Sequence, residues 1–213
     1  MRLHTYWRST AAWRVRIALN LKGLDWQSLP VHLVRDGGEQ RREPFLRLNP
    51  QGLVPVLEDD GLVLPQSLAI IEYLDETHPE PPLLPADPPG RARVRGLAQL
   101  VACDIHPLNN LRVLHYLRDH GGLNDAQRDQ WYRHWVLEGL RALEARLAGK
   151  SATGRYCHGD TPGLADCVVV PQVYNARRYA VELAPFPTVL RIEAACAELE
   201  AFRHAAPEVQ PDA

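Results

Sequence analysis

Apolar and polar positions along the chain change rhythm near residue 80. Before that point, two-residue alternation and helical spacing take turns, the mark of an α/β unit. RLHTYW (2–7) predicts a strand. WRVRIALNLKG (13–23) predicts a helix with Val15, Ala18, Leu19 and the stem of Lys22 on one face and Gly23 as its stop. QSLPVHLV (27–34) predicts a second strand and completes a right-handed β-α-β unit, followed by a polar connection. Segments 53–59 and 62–65 flank Asp59-Asp60-Gly61 and predict a hairpin. A helix over 67–78 follows, with Ser67 as its N-cap. Residues 78–90 then hold six prolines and one glycine in thirteen positions, which places a domain boundary there. Beyond it the alternation ends. Four helically spaced stretches, 91–119, 125–148, 163–182 and 188–203, predict an all-α domain, with kinks at Pro107 and Pro171. The expected architecture is an α/β domain over 1–82 and an all-helical domain over 87–213.

The charge pattern narrows the possible partners. A formal charge of −2 over 213 residues divides into −2 for residues 1–82 and zero for 83–213. That balance argues against nucleic acid or an anionic membrane surface. No apolar run is long enough to span a bilayer, and Arg8, Arg14 and Arg16 interrupt the N-terminal segment before a signal-peptide core could form, so a cytoplasmic location is expected. Cys103, Cys157, Cys167 and Cys196 show no C-x-x-C spacing and are expected as reduced, mostly buried thiols. His115, His120 and His134 have no ligand spacing with them, so no metal is expected. Trp131 and Trp135, four apart, read as packing. Of the 24 cationic residues only Lys22 and Lys150 are lysine, leaving 22 arginines. Coding bias covers most of them, but the planar fork of an arginine also matches a carboxylate in two hydrogen bonds.

The run Arg8-Ser9-Thr10-Ala11-Ala12-Trp13-Arg14-Val15-Arg16-Ile17-Ala18-Leu19 follows the first strand. It resembles the zeta-class glutathione transferase signature S-S-C-x-W-R-V-R-I-A-L. Gln66 to Leu74, Cys103 to Asn110 and Val170 to Val173 are similar to the same class. The resemblance implies a thioredoxin-like N-terminal domain (β-α-β, then β-β-α) and a C-terminal helical bundle. It also implies a homodimer. Members of the class are maleylacetoacetate isomerases of homogentisate (tyrosine and phenylalanine) catabolism, and a bacterial branch isomerises maleylpyruvate in the gentisate pathway. Glutathione is the implied cofactor.

A redox protein of this fold carries Cys-x-x-Cys at the first strand-to-helix turn, where Ser9-Thr10-Ala11-Ala12 stands instead. A hydroxyl at a helix start can donate to a bound thiolate and lower its pKa. On residue type alone Ser9 or Thr10 could equally be a plain helix cap. The resemblance gives the thiolate-stabilising role to Ser9 and Thr10 together. Because Ala11 replaces the family's cysteine, haloacid dehalogenation is discounted.

By the same resemblance Val54, before a cis Pro55, pairs its backbone with the cysteinyl part of glutathione, although Pro55 also reads as an edge-strand proline. Gln66 and Ser67 meet the γ-glutamyl carboxylate, and Gln51 reaches the glycyl end. A dianionic cis-enedione needs several cations in one cleft. The resemblance assigns Arg8, Arg112 and Arg178 to the carboxylates and has His106 and Asn110 line the pocket. His106, Asn109 and Arg112, spaced i, i+3, i+6, are expected along one side of a helix. Each of these arginines also reads as a solvated helix face, and His106 as satisfied packing. His106 is closer to the maleylpyruvate branch than to the animal enzymes, which tend to carry glutamine there. Gly159 to Asp166 resembles a family folding motif in which Gly163 leaves the side-chain half of a capping box missing. The remaining alternatives are a conjugating glutathione transferase and a non-catalytic glutathione-binding module.

Overall fold

Residues 2–65 supply four short strands: β1 (Arg2–Thr5), β2 (Gln27–Pro30), β3 (Val56–Asp59) and β4 (Leu62–Pro65). They form one sheet in the order β2-β1-β3-β4, with β1 parallel to β2 and antiparallel to β3, and β3 antiparallel to β4. Register sets Leu3 opposite Leu57, and neither has exposed surface. Between Asp59 and Leu62, Asp60 and Gly61 take φ of 43° and 82°, the two left-handed conformations of a type I′ turn that Asp-Gly predicts. The helices with them are α1 (Thr10–Leu21), α2 (Glu43–Leu48) and α3 (Ser67–Thr77). Downstream lie α4 (Pro88–Gln99), α5 (Leu111–Asp119), α6 (Asp125–Leu147), α7 (Leu164–Arg178), α8 (Pro187–Ala197) and α9 (Glu200–Ala205). This computed structural model describes residues 1–213.

The chain divides into two units, Met1–Leu83 together with Ala197–Ala213, and Leu84–Cys196. The expected helical domain over 87–213 is therefore shortened, because its last segment belongs to the first unit. The physical reason lies in α1, which packs against both α3 and α9. Ala12, Trp13, Val15, Ile17, Ala18 and Leu19 are all buried, and so are Arg14 and Arg16 between them. Arg16 has no exposed surface and donates to Thr5 Oγ1 (3.0 Å), Tyr6 O (3.3 Å), Trp7 O (2.9 Å) and Ala205 O (3.1 Å). Burial pushes its guanidinium down to about 10, so it stays charged at neutral pH. Asn20 donates to Ala201 O, and Asp212 accepts from the Trp7 amide at 2.9 Å. One apolar face was expected on this helix, and α9 covers a second.

Lys22 closes α1 from inside the protein. Its side chain has no exposed surface, and Nζ meets Asp75 Oδ1 at 2.8 Å, His78 O at 2.6 Å and Pro81 O at 2.9 Å. Asp75 Oδ1 also accepts the Leu83 amide at 2.8 Å. The start of the proline-rich segment is thereby pinned rather than loose. The expected polar connection after β2 contains α2, which the sequence pattern did not predict, because six residues make fewer than two helical turns and set no period. Phe45 anchors it in a cluster with Tyr6, Val31, Val54 and Val56.

In the second unit the stretch 91–119 is not one kinked helix. After α4 the chain makes a π turn (Leu100–Ile105) and a 3-10 turn (His106–Asn109), and it restarts at α5 under an Asn110 cap. Pro107 lacks an amide donor and clashes with the preceding turn, which accounts for the break. Ile105 presses so closely on Gly139 of α6 that a Cβ there would overlap it. Pro171 lies inside α7, and the stretch 188–203 divides into α8 and α9. At the head of α7, Asp166 accepts the Gly163 and Cys157 amides at 2.8 and 2.9 Å, which is the half of the capping box that a glycine cap leaves intact. Burial raises the Asp166 carboxyl while those amides lower it, and burial dominates. Cys157, Cys167 and Cys196 are buried free thiols, and Cys103 is exposed. No helix is long and apolar enough to cross a membrane.

Candidate active site

The turn from β1 into α1 is shaped by backbone and by one hydroxyl. The Ser9 amide donates to Tyr6 O at 2.9 Å, and Ser9 Oγ accepts the Ala12 amide at 3.3 Å, so Ser9 is the N-cap of α1. Thr10 is the first helical residue and only 4% exposed. No acidic side chain occupies the first turn, which leaves the positive end of the helix dipole uncompensated. The Arg8 guanidinium lies 5.0 Å over the Trp7 ring.

A second helix start lies in the same unit. The Val54-Pro55 peptide is cis, as expected, and Val54 is buried. Ser67 is not the N-cap of α3; that position belongs to Gln66, at φ 74° and ψ 112°, which makes no side-chain capping bond. Two neighbours shift the cap by one residue. Gln66 Nε2 is turned to Gln51 Oε1 (2.9 Å), while Ser67 begins the helix, 6% exposed, with its Oγ accepting from Arg14 Nη1 at 3.2 Å. The first amides of α3 are thus left without a side-chain acceptor, an arrangement that suits a carboxylate. Sequence reasoning found Gln51, Gln66 and Ser67 but missed Arg14, whose signal was an arginine inside an otherwise apolar helical stripe.

In the second unit His106 opens the 3-10 turn, and Asn110 caps α5 through Oδ1, which accepts the Arg112 amide at 3.1 Å. Asn110 stands at φ −64° and ψ 144°, so the expected single helical face through His106, Asn109 and Arg112 is interrupted between the second and third of them. Trp131 donates its indole N–H to Leu108 O at 2.8 Å and packs edge-on against Trp135, the packing role its spacing suggested. At the end of α7 two adjacent arginines separate by partner. Arg177 forms a two-point pair with Glu193 of α8, with Nη2 to Oε2 at 2.7 Å. Exposed Arg178 donates to the neutral Asn175 Oδ1 at 3.3 Å, its guanidinium 5.9 Å from the Tyr179 ring, which stacks on Tyr132. Burial raises the Tyr132 hydroxyl, so it is uncharged at neutral pH.

Family models described as the N-terminal and C-terminal domains of glutathione S-transferase match residues 3–82 and 125–210. A maleylacetoacetate isomerase of Pseudomonas aeruginosa is 54% identical over 213 residues, which cover all of this chain and 98% of that protein. The chain belongs to the glutathione S-transferase family. The holo structure of a maleylpyruvate isomerase, a bacterial zeta-class glutathione S-transferase, is 52% identical with a TM-score of 0.97 over 100% of both chains. A maleylacetoacetate isomerase of Methylobacterium extorquens AM1, solved with malonate and glutathione bound, is 43% identical with a TM-score of 0.96, covering 100% of this chain and 99% of that one. As in other glutathione S-transferases, the sheet-bearing unit is thioredoxin-like and the other unit is helical. Where the zeta-class signature has cysteine, this glutathione S-transferase has Ala11.

Proposed function

We propose that this glutathione S-transferase is a glutathione-dependent cis-trans isomerase that converts maleylacetoacetate to fumarylacetoacetate. The observation that carries the reading is the turn at the head of α1: two hydroxyls and an uncompensated helix start, built to stabilise an anion, with no thiol of the protein's own. The donor set fits glutathione. The bare amides of α3 with Ser67 suit its γ-glutamyl carboxylate, the Gln51–Gln66 carboxamide pair offers neutral donors, and Val54 suits its cysteinyl backbone. When bound, glutathione supplies a thiol that adds reversibly to the activated cis double bond, which can turn before the thiol leaves.

The chain's own part is positioning and charge. Ser9 Oγ accepts the Ala12 amide through a lone pair, which leaves its hydrogen to be donated to a thiolate. Thr10 and the dipole of α1 act at the same place. In this reading Arg8, Arg112 and Arg178 are the residues that take the substrate's carboxylates and stabilise the charge that develops on it, and His106 and Asn110 are further substrate contacts. The neutral partner of Arg178 leaves its charge available to a substrate, in contrast to Arg177. Two like subunits and a cytoplasmic location belong to the same reading.

Mixing the enzyme with maleylacetoacetate tests it. Isomerisation is expected only when glutathione is present, with no net consumption of thiol. Equal rates with and without glutathione overturn the proposal, and steady loss of thiol points to a conjugating transferase. His106 at the head of the bend favours a second substrate, maleylpyruvate, and the ratio of kcat/KM for the two enediones decides between them. Arg112→Ala and Arg178→Ala are each expected to raise the substrate KM roughly 10- to 100-fold, the worth of a charge-assisted hydrogen bond, with glutathione affinity unchanged. Arg177→Ala is expected to move neither by more than about twofold, since an exposed ion pair contributes little. Steady-state kinetics with each reactant varied in turn checks all three.

A further inference from the structure

We infer that Arg14 is a positioning residue for glutathione, acting through Ser67 to fix the direction in which the Ser67 hydroxyl donates. The inference rests on the reading above that Ser67 meets the γ-glutamyl carboxylate. Arg14 lies on α1, 2% exposed, and its Nη1 donates to Ser67 Oγ at 3.2 Å across the α1–α3 contact. A guanidinium has donors and no acceptor, so the serine oxygen can only accept from it. Oγ therefore uses a lone pair on the buried side, and its single hydrogen points away from Arg14. A serine without such a neighbour rotates freely and can present either a lone pair or a hydrogen to an incoming group. Here Arg14 holds one of the two lone pairs and excludes the hydrogen from the buried side, which keeps that hydrogen available to an anion at the head of α3. Ser67 is also the first residue of α3, with Gln66 before it held at φ 74° and making no capping bond, so the directed hydroxyl and the bare amides serve the same end of the helix. One helix thus carries both the thiolate turn at its head and, a turn further on, the residue that sets the carboxylate subsite.

The experiment compares glutathione with its analogue in which the α-carboxylate of the γ-glutamyl residue is a carboxamide. Binding to the full-length protein is followed by calorimetry for wild type, Arg14→Met, Ser67→Ala and the double variant. Wild type is expected to prefer glutathione by about tenfold or more, as for hydrogen bonds to a charged acceptor. Arg14→Met is expected to lose most of that preference. The double variant is expected to be no worse than Ser67→Ala, because the two residues act as one. If Arg14→Met does not fold, Arg14→Lys completes the same cycle, since an ammonium lacks the planar fork and is expected to restore the preference only in part. Equal weakening for both ligands, or additive losses in the double variant, marks a merely structural role and overturns the inference. A wild type that binds glutathione without preferring its carboxylate overturns it too. A wild type that does not bind glutathione overturns the functional reading beneath it.

Discussion

Replacing Ser9 by alanine and Thr10 by valine together is expected to lower kcat by about 10²–10³-fold at saturating glutathione, the loss typical when a donor aimed at developing charge is removed. Both hydroxyls sit where the amides and dipole of α1 already favour an anion. In the proposed mechanism the change removes the hydrogen bond that holds the thiol ionised at neutral pH. The rise of kcat/KM with pH should therefore move upward, toward the ordinary thiol value of about 8.5, and alkaline conditions should recover part of the rate. Stopped-flow ultraviolet absorbance of the bound thiolate checks the shift directly. Ser9 also caps α1 through the Ala12 amide, so a loss of about 1 kcal/mol in stability accompanies the change. A variant that keeps wild-type kcat and an unmoved pH profile would remove both residues from the chemistry. The single variants then apportion the effect between an N-cap that remains partly accessible and a first helical residue that is nearly enclosed.

Lys22→Met is expected to cost roughly 3–5 kcal/mol, since it removes one partner of a buried ion pair and leaves the other behind. The ammonium of Lys22 meets three oxygens, on Asp75, His78 and Pro81, and it has three hydrogens to give. That match explains why a chain with 22 arginines keeps a lysine here. A planar fork cannot point at three convergent acceptors, so Lys22→Arg should restore little of the loss. Urea unfolding followed by fluorescence measures it, and for a protein of this size the melting midpoint should fall by about 6–20 °C. Proteolysis at 78–83 should increase in parallel. An unchanged midpoint would mean that Asp75 finds another partner.

Much of this was legible from residues alone. The β-α-β and β-β-α order, the Asp-Gly hairpin and the break at Pro107 follow from local chemistry that a few neighbouring residues contain, while the cis peptide at Pro55 came from the family resemblance. Three features did not. Phe45 is the one buried residue of α2, and one anchor has no period. Ser67 looked like a cap because serine before an apolar run usually is one, but Arg14, 53 positions away, competes for its oxygen. Arg14 and Arg16 interrupt an apolar helix, and only the arrival of α9 from the far end of the chain makes that helix buried on a second side. At the candidate site, the proposed glutathione contacts came from the resemblance of short motifs to the zeta class, which residue types and spacing alone did not supply. The difference between Arg177 and Arg178 depended on which of two neighbours finds an acid, and Glu193 lies on a separate helix.

The first unit is discontinuous in sequence, and its two pieces are made at different times. Arg16 donates to the carbonyl of Ala205, and the amide of Trp7, just before the turn into α1, donates to Asp212. During translation the sheet and α1 emerge first but lack these partners while the whole helical unit, Leu84–Cys196, is still being synthesised. The turn from β1 into α1 therefore gains its bonds to the C-terminal segment only after the helical unit has been made.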